Sequence, residues 1–360
     1  MEMWNKMEAS PLTKTKEPFW QIIRGICIIF VVLIHCKSGI GYEKIPIDSW
    51  NFDYWIIMRQ FINFPVAIFI FLAGYFVNIE KVKESAHSFI RNRIVRLLIP
   101  FLIWSTFYTL LTVFLAGGKV AVFDSLFKLI FGLSSIQLYF IPVLLQLAVL
   151  TPFLIKSIQT NRGTKLLLLI TPLYLIGLYA YAIIFKSQFA FYQTFFPAWF
   201  IFYYAGLLVK IKGYQPLFKR NQLLNSILCC FIGLIVSIIE GYGLLALGFP
   251  GEFATIQIKV SSIFYVFTII NLLMVIKPSV ANSECKWLKY LGDNSYGIFY
   301  IHLFWVMISY IILSFVPFIG EILPAYQLIQ LTFVVLLSCL SIFIIKKIMG
   351  EKSACKFLGF

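Results

Sequence analysis

Residues 19–36 read FWQIIRGICIIFVVLIHC, and, cysteines aside, two ionisable side chains interrupt this largely apolar run, Arg24 and His35. A stretch of that length suits a membrane-crossing helix, which needs about 20 mostly apolar residues. On a helix, the eleven steps from Arg24 to His35 make about three turns, so both side chains leave the same face, about 16 Å apart along the axis. A guanidinium and an imidazole are costly in hydrocarbon and usually face a bundle interior or a water-filled cavity. The stretch therefore decides the fold class, and its polar pair is the strongest pointer to function.

Working outward, the 360-residue chain is 61% hydrophobic and 12% charged, against about 25% charged in soluble domains. This is the composition of an all-α integral membrane protein. Apolar runs able to cross about 30 Å of hydrocarbon lie at 19–36, 61–79, 97–116, 137–155, 166–185, 198–209, 223–247, 257–276, 295–316 and 328–346. They predict about ten transmembrane helices, with the run at 198–209 the shortest. The expected organisation is a tail at 1–18, a ten-helix membrane domain at 19–346 and a tail at 347–360. The sequence has no second domain, no fixed-period repeat and no hydropathic symmetry of the inverted-repeat kind.

The net charge of +15 does not call for nucleic acid. With both termini inside, the cytoplasmic segments hold 22 Lys and Arg residues and the outer segments six. That asymmetry is the positive-inside rule and predicts cytoplasmic N- and C-termini. The polar start runs directly into the first span without a small-residue cleavage site, so no cleaved signal peptide is expected. Seven cysteines are scattered without metal spacing or an even disulfide count, and read as small core residues. No metal is expected.

Several polar residues could carry chemistry. His35 could take a proton from a hydroxyl and return it to a leaving group, and the reading places it near the bilayer midplane. His302, in DNSYGIFYIHLF, falls about 12 Å into the ninth span, at a similar level, so the two histidines could share a site. Arg91, Arg93 and Arg96 precede the third span, and their guanidinium forks suit phosphate oxygens, although topology and lipid headgroups also explain them. Glu240 should lie near the outer surface, where it could bind an acceptor. Trp50, Phe52, Tyr54 and Trp55 are read as part of an outer loop rich in aromatic residues, as belts at the membrane interface are.

These residues resemble the acyltransferase-3 family of membrane acyltransferases. RGICIIFVVLIH looks like its first-helix motif, FIFLAGYF at 69–76 its second-helix motif, and RNRIVRLLIPF at 91–101 its RxxR segment. LYFIPVL at 138–144 and SYGIFYIH at 295–302 resemble two later elements, in the expected order over about 280 residues. Three positions depart from the pattern: Gln21 stands where many members have an acidic residue, Ala73 replaces a serine, and Tyr139 a tryptophan.

The resemblance implies transfer of an acyl group, with acetyl expected, from cytoplasmic acyl-CoA to a hydroxyl of a surface polysaccharide or lipid-linked sugar. It makes His35 the catalytic group, with Arg24 its partner or a donor contact. Arg93 and Arg96, with Arg91, become donor-side residues, while Gly74, Tyr75, Tyr139, Glu240 and His302 become site-lining candidates. The expected place is the inner (cytoplasmic) membrane, among lipids, with no permanently bound cofactor and an open oligomeric state. A glycan or small-solute transporter and a non-catalytic polysaccharide-assembly protein are the alternatives.

Overall fold

In the computed structural model, which describes residues 17–36, 45–46, 49–118, 122–280, 285–316 and 322–360, the apolar runs form helices, with no strand among those residues. They are α1 (Pro18–His35), α2 (Trp50–Phe61), α3 (Pro65–Tyr75), α4 (Ile79–Glu84), α5 (Ala86–Leu115), α6 (Val122–Phe131), α7 (Phe140–Ile158), α8 (Asn161–Leu167) and α9 (Ile170–Phe185). After a 3-10 turn at Phe196–Ala198 come α10 (Phe200–Lys212), α11 (Gln222–Ala246), α12 (Gly251–Ala254), α13 (Val260–Val280), α14 (Lys286–Asp293), α15 (Ser295–Leu313), α16 (Leu323–Met349) and α17 (Glu351–Leu358). Nine spans among the described residues are long and apolar enough to cross a membrane; α2 with α3 forms one of them and α8 with α9 another.

The sixth expected span, 198–209, is only partly realised. α10 has 13 residues, about 20 Å. Pro197 lies in the 3-10 turn ahead of it, and Lys210 and Lys212 occupy its last turn, so no apolar length remains to extend it. It is an interior helix nonetheless, with Phe200, Phe202, Tyr203, Tyr204 and Leu207 buried.

The second span also differs from the sequence reading. Trp50, Phe52, Tyr54 and Trp55 do not form a loop but open α2, whose N-cap Ser49 accepts a hydrogen bond from the Phe52 backbone N–H at 3.3 Å. The chain breaks at 62–64, and Pro65, which needs no backbone donor, restarts it as α3. Irregular backbone at membrane depth is tolerated where protein buries it, and Ile62 and Asn63 are buried. The Asn63 amide donates to Gln60 Oε1 at 3.2 Å and to Ile256 O at 3.4 Å, which ties the break to the segment before α13.

Two helix pairs meet through glycines. A Cβ at Gly25 would run into the carbonyl of Leu288, and one at Gly292 into that of Gln21, so α1 and α14 lie backbone to backbone. Gly74 and Gly206 do the same for α3 and α10, meeting Tyr203 O and Phe71 O. In lipid, close packing of small residues drives association where apolar burial alone cannot. The segment expected as a C-terminal tail turns back at Gly350 into α17, where Trp104 Nε1 donates to Leu358 O at 3.1 Å and Phe360 is buried.

Candidate active site

α1 presents Gln21, Arg24, Ile28, Val31 and His35 to one cavity of about 1550 Å³. Their spacing of three, four, three and four is that of a single helix face. Because the same cavity touches Glu17 and His35, it runs the whole length of α1, about 27 Å. Arg24 and His35 share this face as expected, yet about 16 Å of helix separates them, too far for both to act on one atom.

The end at which α1 begins is rich in cations. Arg24, Arg93, Arg96, Lys346 and Lys347 line it, with Glu17, Asp293 and Glu351 as acidic neighbours. Arg24 is half-buried and donates through Nη2 to Ser295 Oγ at 3.1 Å, and Ser295 in turn donates to Gly292 O at 2.8 Å. Arg24 also lies within electrostatic range of Asp293 and Arg96. Lys277 meets Glu17 at 2.6 Å and donates to the Tyr75 hydroxyl at 3.1 Å. These guanidinium and ammonium groups form a wall suited to phosphate oxygens.

His35 is the last residue of α1, about 26 Å from Pro18, and is half-exposed. Its ring lies 5.3 Å from that of His302, at an interplanar angle of 43°. The two histidines expected at one level thus stand side by side. His302 is fully buried, and its Nδ1 lies 3.0 Å from Ile298 O.

Beyond His35 the wall changes character, with Trp55, Arg59, Gln137, Tyr139, Gln188, Tyr192, Glu252 and Gln257 lining it. Tyr139 stacks on Trp199 at 6.1 Å. Arg59 Nη1 donates to Ile34 O at 3.3 Å, beside the residue that carries the imidazole. Burial holds the Tyr192 phenol up at about 12, so it remains a neutral donor over the working pH range. Aromatic faces beside amide and charged side chains suit a polyhydroxylated ligand.

Not every expected residue reaches this cavity. Tyr75 and Tyr139 line it, whereas Arg91 is exposed and stands off its wall. Gly74 is a contact between helices, as described above. Glu240 is held elsewhere, accepting hydrogen bonds from the Tyr179 and Ser261 hydroxyls and from the Ser261 backbone at 3.0 Å, with Lys259 Nζ at 3.9 Å. The sequence reading missed Arg59, Glu252 and Gln257. Only Arg59 carried a signal, being a cation in a segment assigned to the side with few of them.

A family model described as an acyltransferase domain, Acyl_transf_3, matches residues 17–345. The chain belongs to the acyltransferase-3 family. No curated protein and no solved structure matches it. Membership makes it a membrane acyltransferase, and the matched region contains all of α1 to α15 and most of α16. As an acyltransferase it needs a donor site, an acceptor site and a group between them able to move a proton. The cavity offers a cationic end, an aromatic and amide end, and His35 between.

Proposed function

We propose that this acyltransferase moves an acetyl group from cytoplasmic acetyl-CoA to a hydroxyl of a surface polysaccharide or lipid-linked sugar, as a multi-pass protein of the inner (cytoplasmic) membrane. The observation that carries the reading is the single cavity whose wall passes from Arg24, Arg93 and Arg96 to His35 and on to Tyr139, Tyr192 and Gln257. CoA phosphates suit the arginine forks, and the acyl thioester then extends along α1 toward His35. His35 takes the proton of the acceptor hydroxyl as its oxygen attacks the thioester carbon. The new C–O bond forms, the C–S bond breaks, and His35 returns the proton to the CoA sulfur.

A solute carrier also needs a cavity as long as its bundle, which keeps that reading as the rival. The test measures CoA release by purified protein given acetyl-CoA and isolated glycan, with mass spectrometry of cell-surface glycans from cells with and without the gene. Acetylated glycan and CoA release that vanish together in His35→Ala, at unchanged protein abundance, are expected. Solute flux without acyl transfer would overturn the proposal.

A further inference from the structure

We infer that His302 is the positioning partner of His35, its Nε2 lone pair receiving the N–H of the His35 ring while His35 holds the transferred proton. The inference rests on the acyl-transfer reading of His35 and adds a residue that reads the protonation of that side chain without touching substrate.

The tautomer of His302 follows from its surroundings. Its Nδ1 lies 3.0 Å from the carbonyl oxygen of Ile298, one turn earlier on α15. A carbonyl only accepts, so Nδ1 carries the hydrogen, and in the neutral ring Nε2 is left as a bare acceptor. That nitrogen is buried and has no hydrogen-bond partner among the described residues. Buried polar groups are nearly always paired, and an exception calls for a cause.

The neighbouring ring supplies one. His302 has no exposed surface, whereas His35 closes α1 and faces the cavity. The 5.3 Å between the ring centres accommodates one hydrogen bond of about 3 Å between facing nitrogens. His302 is thus the enclosed ring of the pair and His35 the one that faces the cavity.

The chemistry can use such a group. Once His35 has taken the hydroxyl proton, both of its ring nitrogens carry hydrogen. One N–H stays on the side of the reacting atoms and the other can be given to a neighbouring acceptor. His302 Nε2 provides it without an added charge, and no proton moves on to His302. The proton on His35 remains available for the departing CoA sulfur, so the transfer balances as written above.

Two measurements test this, one of which needs no substrate. In protein labelled with nitrogen-15 histidine, the three histidines are assigned with the His35→Ala, His87→Ala and His302→Gln variants. The expected spectrum, recorded at a pH low enough to protonate His35, has His302 protonated at Nδ1, with an Nε2 resonance that moves toward that of a free acceptor in His35→Ala. An Nε2-protonated His302, or a resonance indifferent to His35→Ala, overturns the inference whatever the protein catalyses. In the kinetic arm, His302→Leu should lower kcat about a hundredfold, the scale of a misplaced catalytic group, while KM for acetyl-CoA stays unchanged. His302→Gln, whose amide oxygen reaches the position of Nε2, should recover most of the rate. Equal losses in the two variants, or a change confined to KM, would also sink the inference. Absence of acyl transfer in the unmodified protein would instead strike the proposed function and leave the spectrum to decide this point.

Discussion

Arg24 Nη2 donates to Ser295 Oγ at 3.1 Å, joining residues 271 positions apart. The contact fixes the start of α15 against the first helix and holds the guanidinium at the cavity wall. It also separates the roles of the two polar residues of α1, because Arg24 is committed at one end and His35 at the other.

Arg24→Ala should therefore weaken donor binding rather than chemistry. Losing a charge-assisted contact of about 1.5–3 kcal/mol corresponds to a tenfold or greater rise in KM for acetyl-CoA, with a much smaller change in kcat. Ser295→Ala should cost about 1 kcal/mol of stability and little affinity. Steady-state kinetics on both variants check the separation, and an Arg24→Ala enzyme altered only in kcat would refute it.

Arg93 and Arg96 should act together on donor phosphates. The double alanine variant is expected to bind acetyl-CoA at least about tenfold more weakly, and lysine should restore only part of the loss because it lacks the fork. Affinity should also fall with added salt, since partly exposed charges are screened. Calorimetric titration of the purified variants decides this, and unchanged affinity would leave these arginines to topology and lipid contact.

Gly206→Ala should reduce the amount of folded protein. Its new methyl group would run into Phe71 O and lie 2.7 Å from Tyr75 N, both rigid backbone atoms. Gly177→Ala is the control, since nothing lies within 4 Å of a Cβ there, and helix propensity alone should make it neutral or slightly stabilising. Melting temperatures in detergent compare the two; equal values would mean that α3 and α10 part without cost.

Much of this architecture was legible in the sequence because hydropathy reports lipid contact directly. α1 was bounded to within a residue, and the three-turn spacing from Arg24 to His35 correctly placed both on one face. A shared site for His302 and His35 was one reading their similar depth allowed, and packing of α15 against α1 is what brings the rings together. Hydropathy failed where burial in protein replaced burial in lipid. α2 carries Asp53, Arg59 and Gln60, so it looked like a loop, although the buried Gln60 amide donates to Ala254 O at 3.0 Å. Glu240 was misread for the same reason: distance along α11 gave its depth, but not the hydroxyls of Tyr179 and Ser261 that hold it. Arg59, Tyr192 and Gln257 come from three separate segments, and only tertiary packing brings them to one wall.

The polar face of α2 has a consequence for how the chain is made. α2 carries Asp53 in its first turn and Arg59 in its last, and charged groups in a membrane span take polar partners. Two of its partners are synthesised much later: Ser237 donates to Gln60 at 2.9 Å and Tyr242 donates to Asp53 at 2.5 Å, 177 and 189 positions downstream. A nascent chain halted before α11 would lack both of these contacts. The polar contacts of that helix are thus completed only when the ribosome reaches the second half of the message.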